Sequence, residues 1–168
     1  TSSKAFNKEK KSHYGKRLHE SDVNPIFRCI SDYYADAPVP KLNIAFFDIE
    51  VDFNKEHGFA PPDDPFNAVT AVGVHLNWLD KTICLVIKPQ GMSQEEAERI
   101  VGEFDDVILM ATEEELLQTF LELIDDADIL SGWNSEGFDI PYMTNRIAKV
   151  IGKDYTRKLC LWNQYPNK

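Results

Sequence analysis

The chain has 168 residues, room for one domain or for one domain and part of another, and enough to bury a core. Hydrophobic residues make up 43% and charged residues 27%, which excludes a disordered segment. The formal charge of −10 argues against a non-specific nucleic-acid coat, but not against an enzyme that holds divalent metals in carboxylates.

The charge is uneven. Residues 1–20 carry Lys4, Lys8, Lys10, Lys11, Lys16 and Arg17 against Glu9 and Glu20. Residues 146–168 carry Arg146, Lys149, Lys153, Arg157, Lys158 and Lys168 against Asp154, and the stretch between is strongly acidic. Basic ends around an acidic centre suit a phosphate backbone laid beside a carboxylate site. A loose basic arm and a solvated helix face give the same pattern. Cys29, Cys84 and Cys160 lie far apart with no metal-ligand spacing and read as reduced thiols. No apolar run approaches the ~20 residues that span a membrane. The Lys-rich start lacks the apolar segment of a secretory signal. A cytoplasmic protein is expected. Thr1 in place of Met points to a chain processed or cut from something longer.

In chain order, residues 1–20 are polar and aperiodic, a loose arm. Residues 21–40 hold a short aromatic stretch and then Ala-Pro-Val-Pro, whose prolines read as a linker. Residues 42–53 (LNIAFFDIEVDF) are apolar and β-branched enough for a central strand. Residues 54–67 form a long loop by turn chemistry, with a possible place at a site rim. Residues 68–78 and 82–88 are two further strands around a turn at residues 79–81, completing an antiparallel meander. Ser93 caps a short helix. Residues 107–110 form a short buried strand. Thr112 with Glu115 makes a capping box for a helix whose apolar face is Leu116, Leu117, Phe120, Leu121 and Ile124. Residues 128–132 form another short strand. A last helix runs over residues 139–151, closed by Gly152. The order β-β-β-α-β-α-β-α implies an α/β fold, a mixed sheet flanked by helices.

Two stretches carry chemistry. In Phe46-Phe47-Asp48-Ile49-Glu50-Val51, side chains alternate faces, so Asp48 and Glu50 share one side of an apolar strand. Two carboxylates there are costly unless a cation compensates, and a divalent metal is the economical one. For an isolated pair of this kind, a face that reaches solvent is the commoner explanation. The second stretch is Ser-Gly-Trp-Asn-Ser-Glu-Gly-Phe-Asp-Ile-Pro-Tyr-Met-Thr-Asn-Arg, residues 131–146. It reads as a strand end, a turn at Asn134, and a helix opened by Phe138 and Asp139. Taken singly, Asp139 is a capping residue and Phe138 a core aromatic. An exposed ring there also suits stacking on a terminal base. Trp133 reads as core. Glu113, Glu114 and Glu115 read as solvated surface, as do Asp125 and Asp126. Arg146, Lys149 and Lys153 recur on one side of the last helix, as a phosphate contact or a solvated face.

Together, FDIE and GWNSEGFDIPYMTNR closely resemble the first two exonuclease motifs of family B DNA polymerases, especially those of T-even-type bacteriophages. The resemblance covers about residues 40–152. Less specifically, Tyr14-Gly15-Lys16 through Tyr34 is similar to the end of the N-terminal domain of those polymerases. It implies a ribonuclease H-like fold, with residues 1–40 as that domain end and linker and residues 41–168 as a partial 3′–5′ exonuclease domain. It implies that Asp48, Glu50 and Asp139 are catalytic and bind Mg²⁺ or Mn²⁺. It implies that Asn134 contacts the DNA 3′ end or supports the site, that Phe138 packs at the terminal nucleotide, and that Glu50 bonds the 3′-hydroxyl. The implied partners are a single-stranded or mismatched DNA 3′ end and the remainder of the polymerase, in cis or as a separate polypeptide. The implied setting is the cytoplasm of an infected bacterium.

The family's third exonuclease motif, a tyrosine followed four residues later by an aspartate, has no match within residues 1–168. On that ground the chain alone is expected to be a weak or inactive nuclease and to bind metal poorly, as a truncation or a split subunit. A self-standing exonuclease and a non-catalytic binding or assembly module are the alternatives.

Overall fold

The computed structural model describes residues 3–13 and 23–166. The chain divides into two units, Thr1–Pro40 and Lys41–Lys168.

In the first unit, two helices stand where the sequence suggests a loose arm and an aromatic stretch. Helix α1 is Ser3–Ser12, with His13 bonding Glu9 at 3.0 Å. Helix α2 is Pro25–Tyr34. The Asn24 side chain caps it, accepting from the Ile26 N–H at 2.9 Å, and Pro25 occupies the first turn, where its missing N–H costs nothing. Residues 14–22, with the Tyr14-Gly15-Lys16 stretch, lie outside the described residues.

The second unit follows the expected element order. Strands β1 (Ile44–Val51), β2 (Val69–Leu76) and β3 (Lys81–Ile87) form an antiparallel meander. Helix α3 (Gln94–Val101), capped by Ser93, carries the chain across to β4 (Val107–Met110), which pairs parallel with β3. Helix α4 (Glu113–Leu123) then crosses to β5 (Ile129–Ser131), parallel to β1 at the other edge. The sheet order is β4-β3-β2-β1-β5. Helix α5 (Asp139–Val150) follows, ended by Gly152 at φ 116°, then 3₁₀ turns at Lys153–Leu159 and Leu161–Asn163.

The period-two pattern decides which face of the sheet is core. Ala45, Phe47 and Ile49 of β1 point one way, with Val72, Val74 and Leu76 of β2 and Ile83 and Leu85 of β3. Against them pack Leu116, Leu117, Phe120 and Leu121 of α4 and Tyr142, Met143 and Ile147 of α5. The Phe47 and Phe120 rings lie 5.3 Å apart. The opposite face, which carries Phe46, Asp48 and Glu50, remains open to solvent at β1. Asn43 and Asn77 latch the start of β1 by bonding backbone groups across the sheet end, among them Asn77 Oδ1 accepting from the Ile44 N–H at 2.7 Å.

Gly132, just after β5, has no room for a side chain. A Cβ there would meet the Phe47 carbonyl oxygen at 2.3 Å, so the strand end reaches β1 only with glycine. Gly73 on β2 has nothing within 4 Å of the same added atom. We expect Gly132→Ala to cost about 1–3 kcal/mol, the range for forced overpacking. Gly73→Ala should be neutral or stabilise by roughly 0.5–1 kcal/mol, as for glycine in a strand interior. Urea midpoints of the two variants check this.

Candidate active site

Asp48 and Glu50 stand on the open face of β1, as the alternation requires. Their partners across the ladder are Gly73 and Ala71, so no large side chain roofs either carboxylate. Just beyond, the register shifts: Glu50 pairs with Ala71 but Val51 with Val69, which leaves Thr70 as an extra residue on β2. Such a bulge re-aims the strand at its end. The Thr70 hydroxyl donates to the Glu50 carbonyl at 3.2 Å.

Strand β5 stops at Ser131, opposite Phe46, so the outer edge of β1 beyond that point has no strand partner. The chain turns away through Asn134, at φ 52°. Asparagine tolerates this left-handed conformation better than most residues. Its carbonyl accepts from the Gly137 and Phe138 N–H groups at 2.9 and 3.1 Å, and its exposed side-chain amide lies over Gly137. The turn delivers Asp139 at the start of α5, where a carboxylate is electrostatically favoured.

Asp139 is 4% exposed and comes back against β1. Its carboxylate lies near the backbone N–H groups of Ile49 and of Asp139 itself, and in the field of Asp48. Burial pushes its pKa above the ordinary 3.8, and the negative charge of Asp48 adds to this; the two backbone donors work the other way. The structure thus brings Asp139 to Asp48, while Glu50 shares the Asp48 face. Among the described residues no group of three His, Cys, Asp or Glu is gathered tightly enough to hold a metal by itself.

Phe138 is half-buried, its ring 5.3 Å from Tyr142, so one side packs on the core. Trp133, expected in the core, is instead 92% exposed. It stands over an open groove on the uncovered sheet face with Phe46, Asp48, Gly73, His75 and Thr82. The tight Gly132 approach and the left-handed turn that follows leave it no way back to the core side.

The larger corrections concern the charged residues. Arg146 faces inward: its Nε and Nη2 bond the two oxygens of Glu113, each at 2.6 Å, and its Nη1 donates to the Pro65 carbonyl at 2.9 Å. Glu113, read as solvated surface, also accepts from the Val69 N–H at 2.8 Å. The Glu113 carboxylate raises the Arg146 pKa above its ordinary value. Glu115 accepts from the Ala111 N–H at 2.8 Å and belongs to the capping box. Lys149 pairs with Asp64 at 3.7 Å on the surface, and Lys153 lies over the Tyr165 ring. Of the three cations proposed to meet phosphate, Arg146 is committed elsewhere. The loop at residues 54–67 is held by α5: Tyr142 donates to the Asn67 carbonyl, Asn145 to that of Pro62 and Arg146 to that of Pro65.

A mixed five-stranded sheet with acids on β1 and at the start of α5 fits an exonuclease-type ribonuclease H-like fold. The profile described as DNA polymerase family B, exonuclease domain, matches residues 3–166, and the chain belongs to that family. It is 30% identical over 139 residues to the DNA-directed DNA polymerase of Escherichia phage RB69, an alignment covering 71% of this chain and 15% of that protein. It is 31% identical over 114 residues to a DNA polymerase of Red sea bream iridovirus, covering 67% of this chain and 11% of that protein. The chain therefore spans a small part of the length of these relatives. Among the described residues no helix is long and apolar enough to cross a membrane.

The donor set fits a hard divalent cation. It consists of carboxylate oxygens, and the buried one has another carboxylate, with no cation, as its charged neighbour.

Because Asp139 binds its proton more tightly folded than unfolded, it favours folding only at low pH. That contribution is lost as pH rises from the ordinary 3.8 through the raised native value. In metal-free buffer, Asp139→Asn should therefore be more stable than the parent at pH 7, with the advantage vanishing toward acid. Unfolding free energies of both proteins across pH measure the difference.

Proposed function

We propose that this chain carries the metal-binding carboxylates of a 3′–5′ proofreading exonuclease that hydrolyses the terminal phosphodiester of a DNA 3′ end. The observation that carries this reading is the meeting of buried Asp139 with Asp48 at the open edge of β1. In this reading Asp48, Glu50 and Asp139 are the metal ligands. Two Mg²⁺ or Mn²⁺ ions, when bound, would lower the pKa of the attacking water and neutralise the leaving oxygen.

The chain's own residues supply orientation. The Ile49 N–H holds the Asp139 carboxylate in place. Glu50, unroofed beside Ala71, accepts from the 3′-hydroxyl of the terminal nucleotide. Phe138, backed by Tyr142, offers its free side to the terminal base, and stacking of this kind needs no sequence readout. The Asn134 amide, exposed on its turn, donates to the same nucleotide. Water oxygen bonds to phosphorus, the 3′-oxygen of the preceding nucleotide leaves and takes a proton, and a nucleoside 5′-monophosphate is released. The single-stranded or mismatched end would be supplied by a replicating polymerase, in the cytoplasm of an infected bacterium. The remaining carboxylate and the water-orienting tyrosine would come from a segment outside these 168 residues, in cis or as a separate polypeptide.

A second reading is a non-catalytic nucleic-acid-binding or assembly module of the same fold, favoured by the lack, among the described residues, of three acids close enough together to hold a metal. Titration of the purified chain with Mn²⁺ and a 3′-ended single strand separates the two. The exonuclease reading expects Mn²⁺-dependent binding of the 3′ end that Asp48→Asn or Asp139→Asn abolishes, with slow release of monophosphate. Binding that ignores Mn²⁺ and both substitutions would leave only the module.

A further inference from the structure

Helix α5 bears more than Asp139. Asp139, Tyr142 and Arg146 fall at i, i+3 and i+7, which is one stripe of a helix, with Asn145 at its margin. Beyond Asp139, the polar groups of that stripe bond the loop at residues 54–67 and Glu113 of α4. Tyr142, fully buried, donates its hydroxyl proton to the Asn67 carbonyl at 2.8 Å. Asn145 donates to the Pro62 carbonyl at 2.8 Å. The Arg146 guanidinium closes a bidentate pair with Glu113, which in turn accepts from the first N–H of β2. The pair is mostly shielded, at 11% and 13% side-chain exposure. The stretch so gripped is the connection that leaves β1 just after Glu50 and returns into β2 at the bulge.

We infer that Arg146, through Glu113, and Tyr142, through Asn67, are positioning residues that set the register of α5 against β1 and so hold Asp139 beside Ile49. This inference rests on the reading of Asp139 as a site carboxylate. The argument is geometric. The apolar face of α5 packs Met143 and Ile147 into the core, a contact that fixes no register by itself, while Asp139 opens the helix beside β1. The second point of support lies at Tyr142 and Arg146, and it fastens α5 to the segment that continues from β1. Lysine cannot replace this support, because a point charge makes no bidentate pair and reaches no second carbonyl at once. Groups that orient ligating side chains are commonly worth about 10-fold or more in metal affinity.

The test is residue-resolved amide hydrogen exchange on the full chain without metal, read at Ile49. Asp139→Ala sets the value for an Ile49 N–H without its acceptor. Tyr142→Phe, which removes one oxygen and keeps the core ring, and Arg146→Lys should each speed Ile49 exchange roughly 3- to 10-fold, the span of one weakened hydrogen bond. The amides of Val72 and Leu85 in the core should keep parental rates. Unchanged exchange at Ile49, or the same acceleration at Ile49, Val72 and Leu85, would overturn the inference, since a merely stabilising role moves all amides together. Should Arg146→Lys fail to fold, Tyr142→Phe alone decides. Mn²⁺ binding by Asp48→Asn is run beside it: loss of binding there supports the exonuclease reading. Retained Mn²⁺ binding sinks that reading without touching the Ile49 result.

Discussion

Past Phe46 the outer edge of β1 has no neighbouring strand, because β5 ends at Ser131, and the Asp139 carboxylate comes up to the Ile49 N–H instead. A backbone donor at a sheet edge must be satisfied, and a strand would have satisfied it without chemistry. Here a side chain from the next helix does so, which draws a carboxylate into the field of Asp48. Three local devices make this possible. Gly132 lets the chain pass close to the Phe47 carbonyl. Asn134 takes the left-handed turn. The bulge at Thr70 bends the partner strand away just beyond Glu50. Each is a small exception to regular sheet geometry, and all lie within a few residues of the acids.

Much of this was legible in the sequence. The alternation around Asp48 and Glu50 placed both on one face, and the capping signals at Ser93 and Thr112 marked helix starts within a residue or so. Those signals are local: period two in a strand, a hydroxyl before a helix. The fates of Glu113 and Arg146 were not legible. Three consecutive glutamates at a helix start look alike in one dimension. Only the fold puts the first of them beside the Val69 N–H and a guanidinium from a helix 33 positions further on. Trp133 is illegible for the opposite reason: its apolar character points to the core, and only the turn at Asn134 turns it out to solvent. Helix α2 has a usable start signal in Asn24-Pro25, but the Lys-rich composition of α1 and the aromatic run of α2 carry no clear helical period.

The acids of the chain thus sort by what stands next to them. Most are exposed, and water screens them at little cost. Glu113 is mostly shielded, yet it is matched by a guanidinium and a backbone N–H, so its charge is fully compensated. Removing either partner would strand a charge in a poorly solvated place, the arrangement that makes such pairs hard to break even when they add little net stability. Asp139 is the one fully buried acid among the described residues, and its charged neighbour is Asp48, of the same sign. Backbone donors offset part of that cost, but its raised pKa says that the account stays unbalanced. An imbalance of this kind, on the same helix as a balanced pair, is the electrostatic feature on which the proposed cation site rests. The net charge of −10 is therefore a poor guide to partners, because what distinguishes the site is a single buried carboxylate held against β1 beside a charge of its own sign.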